Sequence, residues 1–212
     1  MEPFIRKDQY NFIMYQTQVL INGYSTVNDL GVLQALKGLV NDKVTNVFDE
    51  LSQAQQNILE PIGNIRDSDQ AEDFLIGLKP YVIPFPSVTD ASLKKLFPKV
   101  KKLKTPDWEN IDFRELSYLG WNDYGQERKY IVAEHEGKLK GFKGTFKSSS
   151  KKGICTICNT FGSIGFYMSE SKASSHGTYV KKGNYICQDS DECNEKLKDK
   201  EKLVDFIQRI NH

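Results

Sequence analysis

The chain has 212 residues, of which 39% are hydrophobic and 27% charged, a composition that is ordinary for a soluble globular protein. This length allows two modest domains, and no uninterrupted apolar run approaches the roughly 20 residues that a membrane-spanning helix requires. The net charge of +1 conceals an asymmetry, because residues 1–80 carry 6 Lys/Arg against 11 Asp/Glu, whereas residues 81–212 carry 23 against 17. This bias suggests different surfaces for different partners, or it reflects solubility alone.

The acidic front half has the periodicity of α-helices. Helices are predicted over residues 8–23, over 29–51 with a break at Asn41–Asp42, and over 68–78, where Pro80 stops the last one. The apolar residues that recur at helical spacing in these segments include Phe12, Tyr15, Val19 and Leu20, then Leu33, Leu36, Leu39 and Val40, and finally Ala71, Phe74, Leu75 and Leu78. We therefore predict a small antiparallel helical bundle without a catalytic constellation.

A proline-containing segment separates the two halves. Pro80, Pro84 and Pro86 cannot continue a helix and favour an extended, stiff connection. The predicted domains are accordingly a helical bundle at residues 1–80 and a mixed α/β domain at residues 81–212.

The second domain opens with a short predicted helix over residues 89–97 and a basic stretch over residues 94–104. Six lysines occupy these eleven positions. Such a stretch could contact RNA phosphates or an acidic protein surface, and it could equally be a solvated basic turn.

The chain then acquires the features of β-strands. Segments 115–121, 128–133 and 139–146 are rich in aromatic and β-branched residues and predict an antiparallel meander. Segments 164–168 and 178–180 can pair as a hairpin.

All four cysteines lie in the last third of the chain. Cys155 and Cys158 form one close pair, and Cys187 and Cys193 form a second pair after 28 intervening residues. This arrangement suits a tetrahedral Zn²⁺ held by four thiolates, and the alternatives are two disulfides or four inert thiols. The start of the chain has no apolar segment behind a basic stretch, so we predict no signal peptide and a reducing, cytoplasmic location. One zinc ion with four protein ligands has no open coordination position, so its expected role is structural.

The order of elements around the cysteines predicts a treble-clef zinc motif. A Cys-x-x-Cys knuckle is followed by a hairpin, and Asp189 can cap a final helix that carries Cys193 in its first turn and continues through Phe206. The predicted fold class is α+β, with a helical bundle followed by an α/β domain whose zinc site spans residues 155–193.

No feature of the sequence predicts an enzyme. His135, His176 and His212 are interpreted as solvated turn or terminal residues, because none stands at ligand spacing to another histidine. Paired carboxylates, an activated nucleophile and a phosphate-binding loop are not recognisable.

Several of these segments resemble a known family. The knuckle at residues 154–159, the run at residues 179–190, and segments 120–122 and 128–131 are similar to the FusB-type proteins, which bind elongation factor G. The resemblance extends over nearly the whole chain. It implies a monomeric, non-enzymatic ribosome-protection factor that binds the C-terminal part of elongation factor G. Such a factor promotes release of elongation factor G from ribosomes stalled by fusidic acid and contacts the ribosome only indirectly.

The resemblance also implies residues that contact the partner. By position in the family motif these are Lys182 and Tyr185 before the third cysteine, Phe206 on the last helix, and Ile154, where the family can show an aromatic residue. Tyrosine is enriched at interface hot spots, but Tyr185 could also pack on the zinc loop and Phe206 could belong to the core. The alternative function is a zinc-dependent RNA- or ribosome-binding module that uses the basic stretch and the lysines at 138, 140, 143 and 147.

Overall fold

The computed structural model of the chain describes residues 1–172 and 179–211. Its internal contacts divide the chain into two compact units, Met1–Ile83 and Pro84–His212. The division falls inside the proline-containing segment, a few residues after the boundary expected from sequence. None of the described helices combines the length and apolar character needed to cross a membrane.

The first unit is helical. Two 3₁₀ turns, Glu60–Asn64 and Lys79–Tyr81, supplement its helices. Its four α-helices are α1 (Lys7–Thr26), α2 (Leu30–Thr45), α3 (Gln53–Leu59) and α4 (Ser68–Leu78).

Helix α1 buries a face that overlaps the predicted one only in part. Leu20 is buried and Val19 packs on the core as predicted, whereas Tyr15 is 48% exposed and Tyr10 and Ile13 are buried instead. Both sets of residues have helical spacing, so periodicity could not choose between them. Asp8, where the predicted helix begins, lies inside the helix and forms an ion pair with Arg6 at 2.9 Å.

Two further features of this unit differ from the sequence analysis. Helix α2 begins after Asp29, whose carboxylate accepts hydrogen bonds from Gly31 N at 2.7 Å and Val32 N at 3.1 Å. The helix continues through Asn41 without the predicted break. Helix α3 was not foreseen, because its seven residues are mostly polar. Ser52 and Gln55 form a reciprocal capping box at its N-terminus. These side-chain hydrogen bonds stabilise the start of a helix that has no clear hydrophobic periodicity.

The second unit is built on a five-stranded antiparallel sheet whose strands follow one another in sequence order. This arrangement confirms the antiparallel sheet and the α+β class. The strands are β1 (Leu119–Asp123), β2 (Arg128–His135), β3 (Lys138–Ile154), β4 (Phe161–Lys172) and β5 (Tyr179–Cys187).

Each face of the sheet carries its own core. On one face, Phe97 follows helix α5 (Asp90–Leu96) and packs edge-on against Trp121 and Tyr130, with ring centroids 5.9 and 5.3 Å away. On the other face, Tyr167 contacts Phe206 with ring centroids 5.8 Å apart. Alternation of side chains along the strands separates the two cores.

Strand β3 is longer than predicted and delivers the chain directly to the first cysteine. Its register with β4 shifts between Ser148 and Lys152. The Gln188 side chain spans this irregularity, because its Nε2 donates to Ser149 O at 2.7 Å and to Ile164 O at 2.9 Å. The polar segment before the knuckle therefore belongs to the sheet.

The final helix is two helices, α6 (Ser190–Lys196) and α7 (Lys200–Asn211). The sequence predicted one, because neither Gly nor Pro marks the interruption. Leu197 has an extended backbone and is fully buried, so burial of this side chain accompanies the break.

His135 is also less solvated than predicted. Its side chain is 12% exposed, its ring packs edge-on against Phe142, and its Nε2 lies 3.2 Å from Asn211 Nδ2. His176 and His212 lie outside the described residues.

We predict that residues 84–212 fold without the helical unit, because they contain the whole sheet, both of its cores and all four cysteines. The fragment, purified with zinc, should unfold cooperatively on heating and give dispersed amide resonances in NMR spectra. A zinc-loaded fragment that lacks a cooperative transition would contradict the division into independent units.

Candidate metal centre

The first two cysteines lie in a tight turn between β3 and β4. Asn159 N donates to Cys155 O at 2.9 Å, and Cys155 N donates to Thr160 O at 3.1 Å, which closes the turn. Asn159 has a φ of 53°, in the left-handed region that asparagine tolerates better than most residues. The turn aims two backbone N–H groups at the Cys155 sulfur, from Ile157 at 3.3 Å and from Cys158 at 3.5 Å.

The second pair comes from the end of a strand and the first turn of a helix. Cys187 is the last residue of β5, and its N–H donates to Cys155 Sγ at 3.3 Å. Asp189 caps helix α6 by accepting from Asp191 N at 2.8 Å and Glu192 N at 3.2 Å. The cap fixes where the helix starts and therefore where Cys193 presents its thiol.

The four sulfurs fit a tetrahedral zinc ion. Zn–S bonds of about 2.3 Å place neighbouring sulfurs about 3.8 Å apart in a tetrahedron. Here Cys155 Sγ lies 3.8 Å from Cys193 Sγ, and Cys158 Sγ lies 3.7 Å from Cys187 Sγ. All four sulfurs lie within 4.8 Å of one another, and all four cysteines are buried and free of disulfides.

Electrostatics explain why this cluster requires a cation. Hydrogen bonds from Cys158, Cys187 and Cys193 hold the pKa of Cys155 far below its usual value. Hydrogen bonds with Cys155, and then with Cys158 and Cys187, raise the pKa of Cys193 well above its usual value, and Cys155 also raises the pKa of Cys187. Without metal, therefore, the Cys155 thiolate is stabilised at the expense of Cys187 and Cys193. A zinc ion supplies the positive charge that allows all four to be deprotonated together.

Residues from β1 and β2 surround the centre, and the sequence did not reveal them. The Lys129 ammonium donates to Asn122 Oδ1 at 3.2 Å and to Gln188 O at 3.0 Å, and it lies 5.0 Å from the centre of the Phe146 ring. Burial lowers the pKa of Lys129 to about 8. Alternation of side chains along β2 could have indicated this burial, because Lys129 lies on the same face of the strand as the buried Ile131.

Asn194 attaches helix α6 to the segment that directly precedes strand β1. Asn194 Oδ1 accepts from Ser117 N at 2.7 Å and from Tyr118 N at 3.2 Å, while its Nδ2 donates to Tyr118 O at 2.9 Å. Burial, and then the charge of Cys193, raise the pKa of Tyr118 well above its usual value, so its hydroxyl keeps its proton beside the thiolates. Gly120 permits the close approach, because a Cβ there would lie 2.6 Å from Ser190 Oγ.

Exposed apolar residues border the zinc knuckle as two cross-strand pairs. The flanking pair, Ile154 and Phe161, stands at the two ends of the knuckle, and these residues are 55% and 62% exposed. The aromatic pair, Phe166 and Tyr185, lies on β4 and β5, with ring centroids 5.2 Å apart and exposures of 37% and 50%. The Thr156 hydroxyl joins the knuckle to the aromatic pair by donating to Tyr185 O at 2.9 Å.

A glycine on β5 sets the position of one ring of the aromatic pair. A Cβ added to Gly183 would lie 2.1 Å from Cζ of Phe166, so this ring covers the glycine. Any larger residue at this position would push Phe166 away from its present place. From the sequence, the only sign of this close contact between the ring and the strand is the glycine itself.

The partner contacts implied by the resemblance lie in different environments. Lys182 and Tyr185 lie on strand β5 and not on a turn, and their odd spacing directs their side chains to opposite faces. Tyr185 and Ile154 are exposed, whereas Lys182 is partly buried. Phe206 is fully buried and packs on Tyr167, so its expected direct contact with a partner is corrected to a role in the core.

Comparisons with known proteins agree with this geometry. A family model described as "Elongation factor G-binding protein, N-terminal" matches residues 4–86, and one described as "FBP C-terminal treble-clef zinc-finger" matches residues 92–209. The solved structure of the fusidic acid resistance protein FusC is similar, with a TM-score of 0.83 and 35% sequence identity over 97% of each chain. No curated protein sequence matched the chain.

The chain is a treble-clef zinc-finger protein with one structural zinc ion, because a knuckle, a hairpin and a capped helix together present four thiolates. More particularly, the chain belongs to the FusB-type family of elongation factor G-binding proteins.

We predict that Cys158→Ser removes the zinc ion and unfolds the second unit, because binding to such sites contributes on the order of 10 kcal/mol, comparable with the stability of a whole domain. Metal analysis should give about one zinc per chain for the wild-type protein and a small fraction of that for the variant. Retention of a full equivalent of zinc and of the wild-type melting temperature in the variant would contradict the assignment of Cys158 as a ligand.

Proposed function

We propose that this chain binds the C-terminal domains of elongation factor G with its zinc-finger unit. Binding then releases the factor from ribosomes on which fusidic acid has stalled it with GDP. The protein acts in the cytoplasm as a monomer and leaves the drug unmodified. The observation that carries this proposal is the pair of exposed apolar clusters bordering the knuckle, in a chain that is 35% identical to the fusidic acid resistance protein FusC.

The chemistry of this surface favours a protein partner. The flanking pair and the aromatic pair combine an aliphatic side chain with three aromatic ones, all held on paired strands next to a buried metal centre. Rigid aromatic groups are enriched at interface hot spots, since they bury a large area and lose little conformational entropy. Tyr185, which is 50% exposed, also carries a hydroxyl that can hydrogen-bond a polar group of the partner.

Release of elongation factor G requires unequal affinity for two of its states. A protein that bound the ribosome-bound and the released conformations equally would shift nothing, however tightly it bound. We therefore infer that the surface around the knuckle fits the released conformation better. Occupying that conformation draws the factor off the ribosome, and no step requires a chemical change in the drug.

The metal centre supports a binding role over a catalytic one. Four protein thiolates fill a tetrahedral coordination sphere, so water and substrate have no position on the ion. Within residues 1–172 and 179–211, these cysteines are the only group of three or more potential ligands close enough to hold a metal. Zinc therefore acts by shaping the surface.

One observation favours the alternative of RNA binding. The basic stretch is fixed to the sheet, because Trp121 Nε1 donates to Lys104 O at 2.7 Å and Gln126 Nε2 donates to Lys102 O at 3.3 Å. Its lysine side chains remain exposed. Contacts between lysines and phosphates release counterions, so RNA binding would fall steeply with salt, whereas a largely apolar protein interface would weaken less.

We predict that Tyr185→Ala weakens binding to purified elongation factor G by about 1–3 kcal/mol, because it removes an exposed aromatic anchor. Lys182→Ala should have the smaller effect, since its side chain is partly buried on the opposite face of β5. Affinities can be measured by calorimetry at two salt concentrations, with zinc content and melting temperature recorded for each variant.

Tyr15→Ala is the matched control, because Tyr15 is exposed to 48%, as Tyr185 is to 50%, but belongs to the helical unit. If the Tyr185 variant keeps wild-type affinity and the Tyr15 variant loses affinity, the interface lies on the helical unit and the proposal is wrong.

We predict that the wild-type protein accelerates dissociation of elongation factor G from purified ribosomes stalled with GDP and fusidic acid, and that mass spectrometry then recovers the drug unchanged. Tyr185→Ala should reduce the acceleration in proportion to its loss of affinity. A chemically altered drug would indicate an enzyme, and an unchanged dissociation rate at saturating protein would reduce the function to binding alone.

A further inference from the structure

Lys129 lies next to the zinc centre with its side chain excluded from solvent. The residue is 0% exposed and belongs to strand β2, outside the treble-clef motif. Its ammonium reaches the carbonyl oxygen of Gln188, the residue that directly follows the ligand Cys187. A buried ammonium is costly unless negative charge compensates it, so its position needs an explanation.

The groups that bind the ammonium directly are not anions. Asn122 Oδ1 and Gln188 O are neutral acceptors, and the Phe146 ring contributes only a cation–π contact. Within the described part of the chain, no carboxylate forms an ion pair with Lys129. The direct contacts therefore orient the ammonium and do not neutralise it.

The metal site lies next to this ammonium, because its acceptor Gln188 directly follows the ligand Cys187. Burial lowers the pKa of Lys129 to about 8, and the charges of Cys193, Asp189, Cys187 and Cys155 oppose that decrease. The Asp189 carboxylate is engaged in capping helix α6. One Zn²⁺ with four thiolates retains two negative charges, so the loaded centre still needs a nearby cation in this dry environment.

We propose that Lys129 is the counter-cation of the zinc centre and that Asn122 and the Gln188 carbonyl position it there. Its charge stabilises the thiolates without touching the metal, and its hydrogen bonds tie the cysteine loop to strands β1 and β2. Outer groups of this kind commonly change metal affinity by about 10- to 100-fold. The inference rests on the zinc centre and does not depend on the identity of the protein partner.

The test compares Lys129→Met with Lys143→Met in the full chain under reducing conditions. Methionine keeps the length of the side chain and removes the charge, and the exposed Lys143 on β3 serves as the control for that substitution. A chromogenic chelator should take zinc from the Lys129 variant about 10-fold faster or more than from the wild-type protein. The Lys143 variant should release zinc at the wild-type rate.

A cobalt-substituted sample distinguishes charge compensation from a merely structural role. Removing a cation next to the thiolates raises the energy of their electrons, so the sulfur-to-cobalt charge-transfer bands of Lys129→Met should shift to lower energy. Lys129→Arg keeps the charge and should restore the bands toward the wild-type position. A packing defect alone would accelerate zinc release in both Lys129 variants without this difference in the spectra.

Asn122→Asp keeps the proposal testable if Lys129→Met fails to fold. It leaves the lysine in place and sets a carboxylate against the ammonium, where the present contact is 3.2 Å, but it also removes the hydrogen bond from Asn122 Nδ2 to Gln188 O. Zinc release should therefore accelerate on either account, and the diagnostic result is a shift of the cobalt bands in the same direction as in Lys129→Met. The proposal is overturned if folded Lys129→Met releases zinc at the wild-type rate and its cobalt spectrum is unshifted. If Lys129→Met does not fold, the same result in Asn122→Asp overturns it.

Discussion

The second unit depends on the compensation of four thiolates by one divalent cation. The ligands come from the β3–β4 turn, the end of β5 and the first turn of α6, so a single ion joins three elements that are distant in sequence. Three backbone N–H groups already point at Cys155 Sγ, which shows that the fold is arranged to receive a thiolate there. Because the free energy of zinc binding at such sites is comparable with the stability of a whole domain, folding of this unit is coupled to the zinc ion.

The metal centre also explains how a small unit can expose apolar side chains and keep them in place. The flanking pair stands at the ends of the knuckle, and the knuckle's Thr156 is hydrogen-bonded to Tyr185 O. Side chains presented on such a framework lose little entropy on binding, which is the advantage of a preorganised surface. The ion is therefore a structural element whose effect appears at the surface. This explains why a closed coordination sphere is compatible with the proposed function.

Sequence reasoning succeeded where the chemistry of one residue type dictated the geometry. Cysteine spacing, the Asp189 cap and β-branched strands predicted the metal site and the antiparallel sheet, because thiolate ligation and capping act over a few residues. It failed where packing chose between overlapping patterns, as in α1, where Tyr10 and Ile13 are buried and the predicted Tyr15 is exposed. For Phe206 the helical spacing left a core position open beside a partner contact, and the structure shows the core position. The roles of Lys129 and Gly183 could not be predicted, since each depends on contacts between residues that are remote in the chain.

Hydrogen–deuterium exchange of the zinc-loaded full chain, with and without elongation factor G, tests most directly whether the partner binds at the zinc knuckle. Amide exchange should slow on binding at residues 154–161 and 183–187, where the knuckle, the flanking pair and Tyr185 lie, and should change little at residues 1–83. Protection confined to residues 1–83, with none around the knuckle, would contradict a partner surface organised by zinc.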